Sequence, residues 1–125
     1  MKKPLALVIE DDQDIAKVFA GVMGQANYDT EIILDGDTAM KRLAEVVPNV
    51  VLLDLRLPGL SGKEILAQIQ LDERLSKTHV VIVTANPDMV QDLPDSTPFV
   101  LLKPIDVNQL RALARRLDPR TSTTT

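Results

Sequence analysis

Cysteine and tryptophan are absent from this chain of 125 residues, and histidine and tyrosine each occur once. Without cysteine there is no disulfide, no thiolate-bound zinc and no thiol nucleophile, and the composition suits a reducing compartment. Aromatic residues make up 2% (Phe19, Tyr28 and Phe99), leaving almost no platform for stacking nucleic-acid bases. A formal net charge of −4 gives no overall attraction for a phosphate backbone. We therefore expect no nucleic-acid partner. No apolar run approaches membrane-spanning length, so no membrane partner is expected either. The opening Met1-Lys2-Lys3-Pro4 resembles the basic start of an export signal, but only a five-residue apolar run follows before a cluster of acids. The reading is a cytoplasmic protein.

What the chain does have is 45% apolar and 26% charged residues, enough to bury the core of one ordinary domain. Five short aliphatic runs punctuate it: Leu5 to Ile9, Thr30 to Leu34, Val50 to Leu53, Val80 to Val83 and Phe99 to Leu102. Four are continuously apolar, as parallel strands covered on both faces should be. Between them the apolar residues recur at helical spacing. Ile15, Val18, Phe19, Val22 and Met23 form one stripe, and Ala39, Met40, Leu43, Ala44 and Val47 form another that Pro48 ends. Ser61-Gly62-Lys63-Glu64 is a capping box ahead of Ile65, Leu66 and Ile69. Asn86-Pro87 opens a helix that Pro94 limits to about two turns. Asp106 caps a last helix with Val107, Leu110, Leu113, Ala114 and Leu117 inward. The pattern is strand-helix five times over, an α/β fold with a doubly wound, five-stranded parallel sheet. Two common strand orders remain open, and both place ligands at the carboxyl ends of the strands. The domain is expected over residues 1–118, with 119–125 a disordered tail rich in Thr.

The strand ends carry chemistry. Glu10, Asp11 and Asp12 follow the first strand, Asp54 closes the third, Thr84 the fourth, and Lys103-Pro104 the fifth. In the order 2-1-3-4-5 these four ends meet in one crevice, whereas Asp35-Gly36 after the second strand lies away from it. Carboxylates packed together raise one another's pKa unless a cation neutralises them. Oxygen-only donors suit a hard cation, and Mg²⁺ better than Ca²⁺ when the carboxylates are few. A divalent cation, an ammonium and a hydroxyl aimed at one point can stabilise a transferring phosphoryl group, with Asp54 as its acceptor.

The residues Leu7-Val8-Ile9-Glu10-Asp11-Asp12, Asp54-Leu55-Arg56-Leu57-Pro58-Gly59-Leu60-Ser61-Gly62, Val83-Thr84-Ala85 and Lys103-Pro104 stand in order, each at an expected strand end. Over residues 4–118 the chain resembles the receiver domain of two-component response regulators. The resemblance implies the flavodoxin-like (βα)5 fold with strand order 2-1-3-4-5. It also implies roles: Asp54 as phosphoacceptor, Mg²⁺ held by Asp11, Asp54, the Arg56 backbone carbonyl and, largely through water, Glu10, and Thr84 and Lys103 on the phosphoryl oxygens. Ala85 would leave room for the phosphate, Asp12 would belong to the first helix cap, and the Lys103-Pro104 bond would be cis. The partners implied are a sensor histidine kinase or histidine phosphotransfer protein and a downstream protein target; a homodimer fits as well. The protein would catalyse only its own phosphorylation and dephosphorylation, and would carry no effector domain.

Three features depart from the family pattern. Thr84 and Lys103 lie only 19 residues apart, the Gly-Ala pair usual before the fifth strand is missing, and Val100 stands where the family places a switching aromatic. Phe99 should point to the opposite face. The alternative is a phosphorylation-independent interaction module on the same fold. An Asp-nucleophile phosphatase would commonly carry a second Asp at the position of Arg56. A nucleotide or flavin carrier would need a phosphate-cradling loop where Glu10-Asp11-Asp12 stand. His79 has no evident partner. The basic stripe Arg111, Arg115, Arg116 and Arg120 reads as charge near a helix carboxyl end.

Overall fold

Five parallel strands form the middle layer, and each aliphatic run of the sequence supplies one. The computed structural model describes residues 2–91, 93 and 99–120. The strands are β1 (Leu5–Ile9), β2 (Asp29–Ile33), β3 (Val50–Asp54), β4 (His79–Thr84) and β5 (Phe99–Leu102). Their order is β2-β1-β3-β4-β5. The helices are α1 (Gln13–Gln25), α2 (Gly36–Glu45), α3 (Gly62–Leu71) and α4 (Val107–Arg116). Strand β2 begins one residue earlier than its side chains suggest, because Asp29 pairs in register with Leu5 and its amide reaches the Pro4 carbonyl at 2.9 Å. Backbone pairing sets that boundary, not polarity.

Alternation along the strands divides the core in two. Ala6, Val8, Val50, Leu52, Val81, Val83 and Leu101 face α1 and α4, where Phe19, Met23, Leu110 and Ala114 cover them. Leu7, Ile9, Val51, Leu53, Val80 and Ile82 face α2 and α3 and meet Leu43, Ile65 and Ile69. The central strand β3 is buried at every residue, whereas edge strands β2 and β5 are partly open. Phe99 packs on the α1/α4 side and Val100 on the other, as alternation requires.

Side-chain oxygens start the helices. Asp12 accepts from the Asp14 and Ile15 amides, Ser61 from Glu64, and Asp106 from Asn108. Asp35 does the same for α2, accepting from Thr38 at 2.8 Å. Four residues of the expected apolar stripes turn outward instead: Val18 and Val47 at 52% exposure, Val107 at 38%, and Ala44. Val18, Ala44 and Val107 sit at the margin of a stripe whose centre already fills the available core surface, and Val47 lies beyond the end of α2.

Asn86 caps the segment after β4, and among the described residues it forms a 3-10 turn at Pro87–Val90 in place of the two helical turns expected. Pro94 lies outside the described residues. His79 does have a partner: its ring meets Phe99 edge-on at 6.3 Å. The first two residues of the expected disordered tail are held in place, because Arg120 pairs with buried Asp118 at 2.7 Å and donates to the Asn27 carbonyl at 3.1 Å. The other five, 121–125, lie outside the described residues.

Buried Tyr28 closes the carboxyl end of α4. The Asp118 amide donates to the Arg115 carbonyl, leaving the Ala114 carbonyl free for the Tyr28 hydroxyl at 2.7 Å. Burial, and then the nearby Asp118 charge, raise the Tyr28 pKa. Tyr28→Phe should therefore lower stability by about 1–2 kcal/mol, since a buried carbonyl loses its donor. Urea denaturation at neutral pH measures this, with the slope of the transition unchanged.

Candidate functional site

The acid cluster forms because β1 and β3 are neighbours. Ile9 pairs with Leu53, so the next residues, Glu10 and Asp54, emerge side by side at the carboxyl end of the sheet. Glu10 and Asp54 share the alternation of the α1/α4 face, and so does Lys103 two residues beyond Leu101. The Lys103 ammonium bridges the two carboxylates, at 2.6 Å from Glu10 Oε1 and 3.1 Å from Asp54 Oδ2. The Lys103-Pro104 peptide is cis.

Each remaining carboxylate oxygen is also held. The Asp12 amide donates to Glu10 Oε2 at 3.1 Å, and the Arg56 amide to Asp54 Oδ1 at 2.9 Å. Asp54 is 5% exposed and Glu10 only 1%, while Asp11 lies open at the rim. One carboxylate oxygen from each of Glu10, Asp11 and Asp54 lies within 4.8 Å of the others. Three carboxylates that close make a donor set suited to a hard cation.

Burial lifts the Glu10 pKa to about 7; Lys103 opposes that shift, and the hydrogen bond with Asp54 adds to it. For Lys103, burial works to lower the pKa, but the hydrogen bonds to Glu10 and Asp54 outweigh it and hold the ammonium charged.

Thr84 stands apart from this cluster. It ends β4 with the opposite alternation, and its hydroxyl accepts from the Asn86 amide at 3.1 Å. It is 1% exposed. Arg56 enters through its amide, a contact that no side-chain pattern announces, although Pro58-Gly59 marks the turn that curls the chain back. Beside Lys103, a cavity of about 420 Å³ is lined by Ile15, Val18, Phe19, Ala85, Pro104 and Ile105. Outward-turned Val18 forms part of its wall.

Residues 6–115 match the response regulator receiver domain. The chain belongs to that family. It is 31% identical over 114 residues to the response regulator ArlR of Staphylococcus saprophyticus, covering 89% of this chain and 50% of that protein. It is 30% identical over 109 residues to the DNA-binding response regulator MtrA of Mycolicibacterium paratuberculosis, covering 87% and 48%. The chain thus spans about half the length of these curated relatives. The Mn²⁺-bound form of response regulator Rcp1 superposes with a TM-score of 0.77 at 26% identity, covering 98% of this receiver and 97% of that chain. Among the described residues no helix is long and apolar enough to cross a membrane.

The raised Glu10 pKa gives this receiver a pH signature. Glu10 holds its proton more tightly when folded (about 7) than at its ordinary value of 4.5. The associated stabilisation is complete below the lower value and is lost as pH rises through the upper one. Urea denaturation in chelator should show stability falling by at most about 1 kcal/mol per pH unit across that window. Glu10→Gln should flatten the profile.

Proposed function

We propose that Asp54 accepts a phosphoryl group from a phosphohistidine on a sensor histidine kinase or histidine phosphotransfer protein, with Mg²⁺ bound. The observation that carries this reading is the placement of Asp54. It is a buried carboxylate fixed at the end of the central strand, between the Lys103 ammonium and the Arg56 amide. Glu10 and Asp11 supply further oxygens within 4.8 Å. A nucleophile held this rigidly needs little further ordering to reach an in-line displacement.

Glu10, Asp11, Asp54 and the Arg56 carbonyl would hold Mg²⁺. When bound, the ion neutralises charge on the carboxylates and on the phosphoryl oxygens. An Asp54 carboxylate oxygen attacks phosphorus while the phosphorus–nitrogen bond to the donor breaks. The bonding electron pair leaves with the imidazole nitrogen, and Asp54 becomes an acyl phosphate. Lys103 is already charged and stabilises the oxygens that carry the developing charge. Thr84, released from the Asn86 amide, donates its hydroxyl to a phosphoryl oxygen. Exposed Ala85 leaves that approach open.

The output is a changed protein-binding surface. The 3-10 turn at Pro87–Val90 and Val100 at the aromatic position support a readout that does not pass through an aromatic rotamer on β5. The apolar cavity beside Lys103 lies next to the acceptor and suits the helix that presents the phosphohistidine. With a net charge of −4, the receiver itself is read as a protein-binding unit of the cytoplasm, without nucleic-acid contacts of its own. A homodimer is a further arrangement compatible with this reading. The chain catalyses only its own phosphorylation and dephosphorylation.

Intact mass after incubation with acetyl phosphate should show one added phosphoryl group with Mg²⁺ and none with chelator. Asp54→Asn should abolish the adduct, and Lys103→Ala should slow its formation about 100-fold or more, the scale of losing one charge-stabilising donor. An adduct that persists in Asp54→Asn would reject the assignment. No adduct in the unsubstituted chain would favour the phosphorylation-independent module.

A further inference from the structure

The end of β2 gives no side chain to the acid cluster, yet it touches the segment that follows Asp54. The Gly36 amide, at the start of α2, donates to the Pro58 carbonyl at 3.0 Å. Buried Gly36 lies so close to Leu60 that a β-carbon there would run into the Leu60 carbonyl oxygen, with the carbonyl carbon at 2.8 Å. One residue on, the Asp37 carboxylate rests against Gly59, whose φ of +76° is a conformation that only glycine adopts easily. A β-carbon on Gly59 would meet that carboxylate. At the far end of the segment the Gly62 amide donates to the Leu55 carbonyl at 3.2 Å.

Between these anchors, among the described residues, the segment is held chiefly by Leu57 and Leu60 against the α2/α3 side of the core. Arg56, Pro58 and Gly59 are exposed, and Leu57 and Leu60 are only partly buried. Segments with so few buried contacts open readily, so one backbone clamp has a large effect on their position. Arg56 rides on this segment, and its amide is the donor that orients Asp54 Oδ1.

We propose that the amino end of α2, through Gly36 and Asp37, is a positioning element for the phosphoacceptor site. It clamps Pro58, Gly59 and Leu60 and so fixes the Arg56 backbone. Neither residue touches the reacting atoms. Cation affinity and phosphoryl acceptance at Asp54 thereby depend on an element at the sheet edge. The catalytic consequence rests on the reading of Asp54 as phosphoacceptor; the clamp does not.

The test compares Gly36→Ala and Gly59→Ala with Gly24→Ala, an exposed helical position where an added β-carbon meets nothing within 4 Å. Circular dichroism confirms folding. Exchange of the Arg56 amide without metal should be severalfold faster in the first two variants and unchanged in Gly24→Ala. Calorimetric titration with MgCl₂ should show affinity about tenfold weaker, the usual scale for losing an outer-shell support. With acetyl phosphate, the half-saturating Mg²⁺ concentration should rise while the rate at saturating Mg²⁺ stays nearly unchanged. Wild-type Arg56 exchange and Mg²⁺ affinity in the folded variants would overturn the proposal. So would faster exchange spread evenly over the β3 amides, which marks general destabilisation. If Gly36→Ala does not fold, Gly59→Ala, on an exposed turn, carries the same test. If the unsubstituted chain takes no phosphoryl group, the reading of Asp54 fails, while Arg56 exchange and the MgCl₂ titration still decide the clamp.

Discussion

Two carboxylates buried at the end of a parallel sheet are tolerable only because one ammonium lies between them. Glu10 and Asp54 are almost wholly enclosed, and Lys103 reaches both across the top of β4. Removing one partner of such a buried arrangement typically costs about 3–5 kcal/mol, far more than an exposed pair contributes. Burial of this kind is a poor way to stabilise a fold, since an apolar replacement would do as well or better. Under the reading proposed for Asp54, the arrangement makes sense as chemistry: a nucleophile, a set of cation donors and a positive charge kept close together ahead of reaction.

The rest of the molecule serves that geometry. The aliphatic strands fix the sheet from both faces, and the order β2-β1-β3-β4-β5 sets β1 beside β3, which brings Glu10 level with Asp54. Strand β5 lies two places away from β3, so Lys103 must extend over the end of β4. Its long flexible stem makes that reach, and its backbone amide anchors it on the Thr84 carbonyl at 2.8 Å. Thr84, with the opposite alternation, waits outside the cluster. The resting site is thus two parts, a charged cluster over the α1/α4 face and a hydroxyl over the other, and a phosphoryl group would be the object both could hold.

Relatives named as DNA-binding regulators extend to about twice this length. This chain is net acidic, at −4, and poor in aromatics. Under the proposed reading the receiver presents or hides a protein surface, and the 3-10 turn after β4 and the aliphatic Val100 are where this chain departs from the pattern expected of the family.

Strand identity was legible in the residues themselves, because a continuous Val, Ile and Leu run has few uses other than a strand covered on both faces. So were the caps at Asp12, Ser61 and Asp106 and the chemical nature of the strand ends, since an isolated charge in an aliphatic run needs a partner. Local sequence could not say which of two strand orders would form, and so could not by itself place Glu10 against Asp54. Nor could it reveal that Val18 and Val107 turn outward, that Arg56 acts through its amide, or that Gly36 meets Leu60. Those facts depend on how elements distant in sequence approach one another, and backbone contacts leave no mark on side-chain pattern beyond the bare presence of a glycine. The residue types were determined by sequence; their convergence was decided by tertiary packing, because hydrogen-bond register and helix docking select among partners that periodicity leaves equivalent.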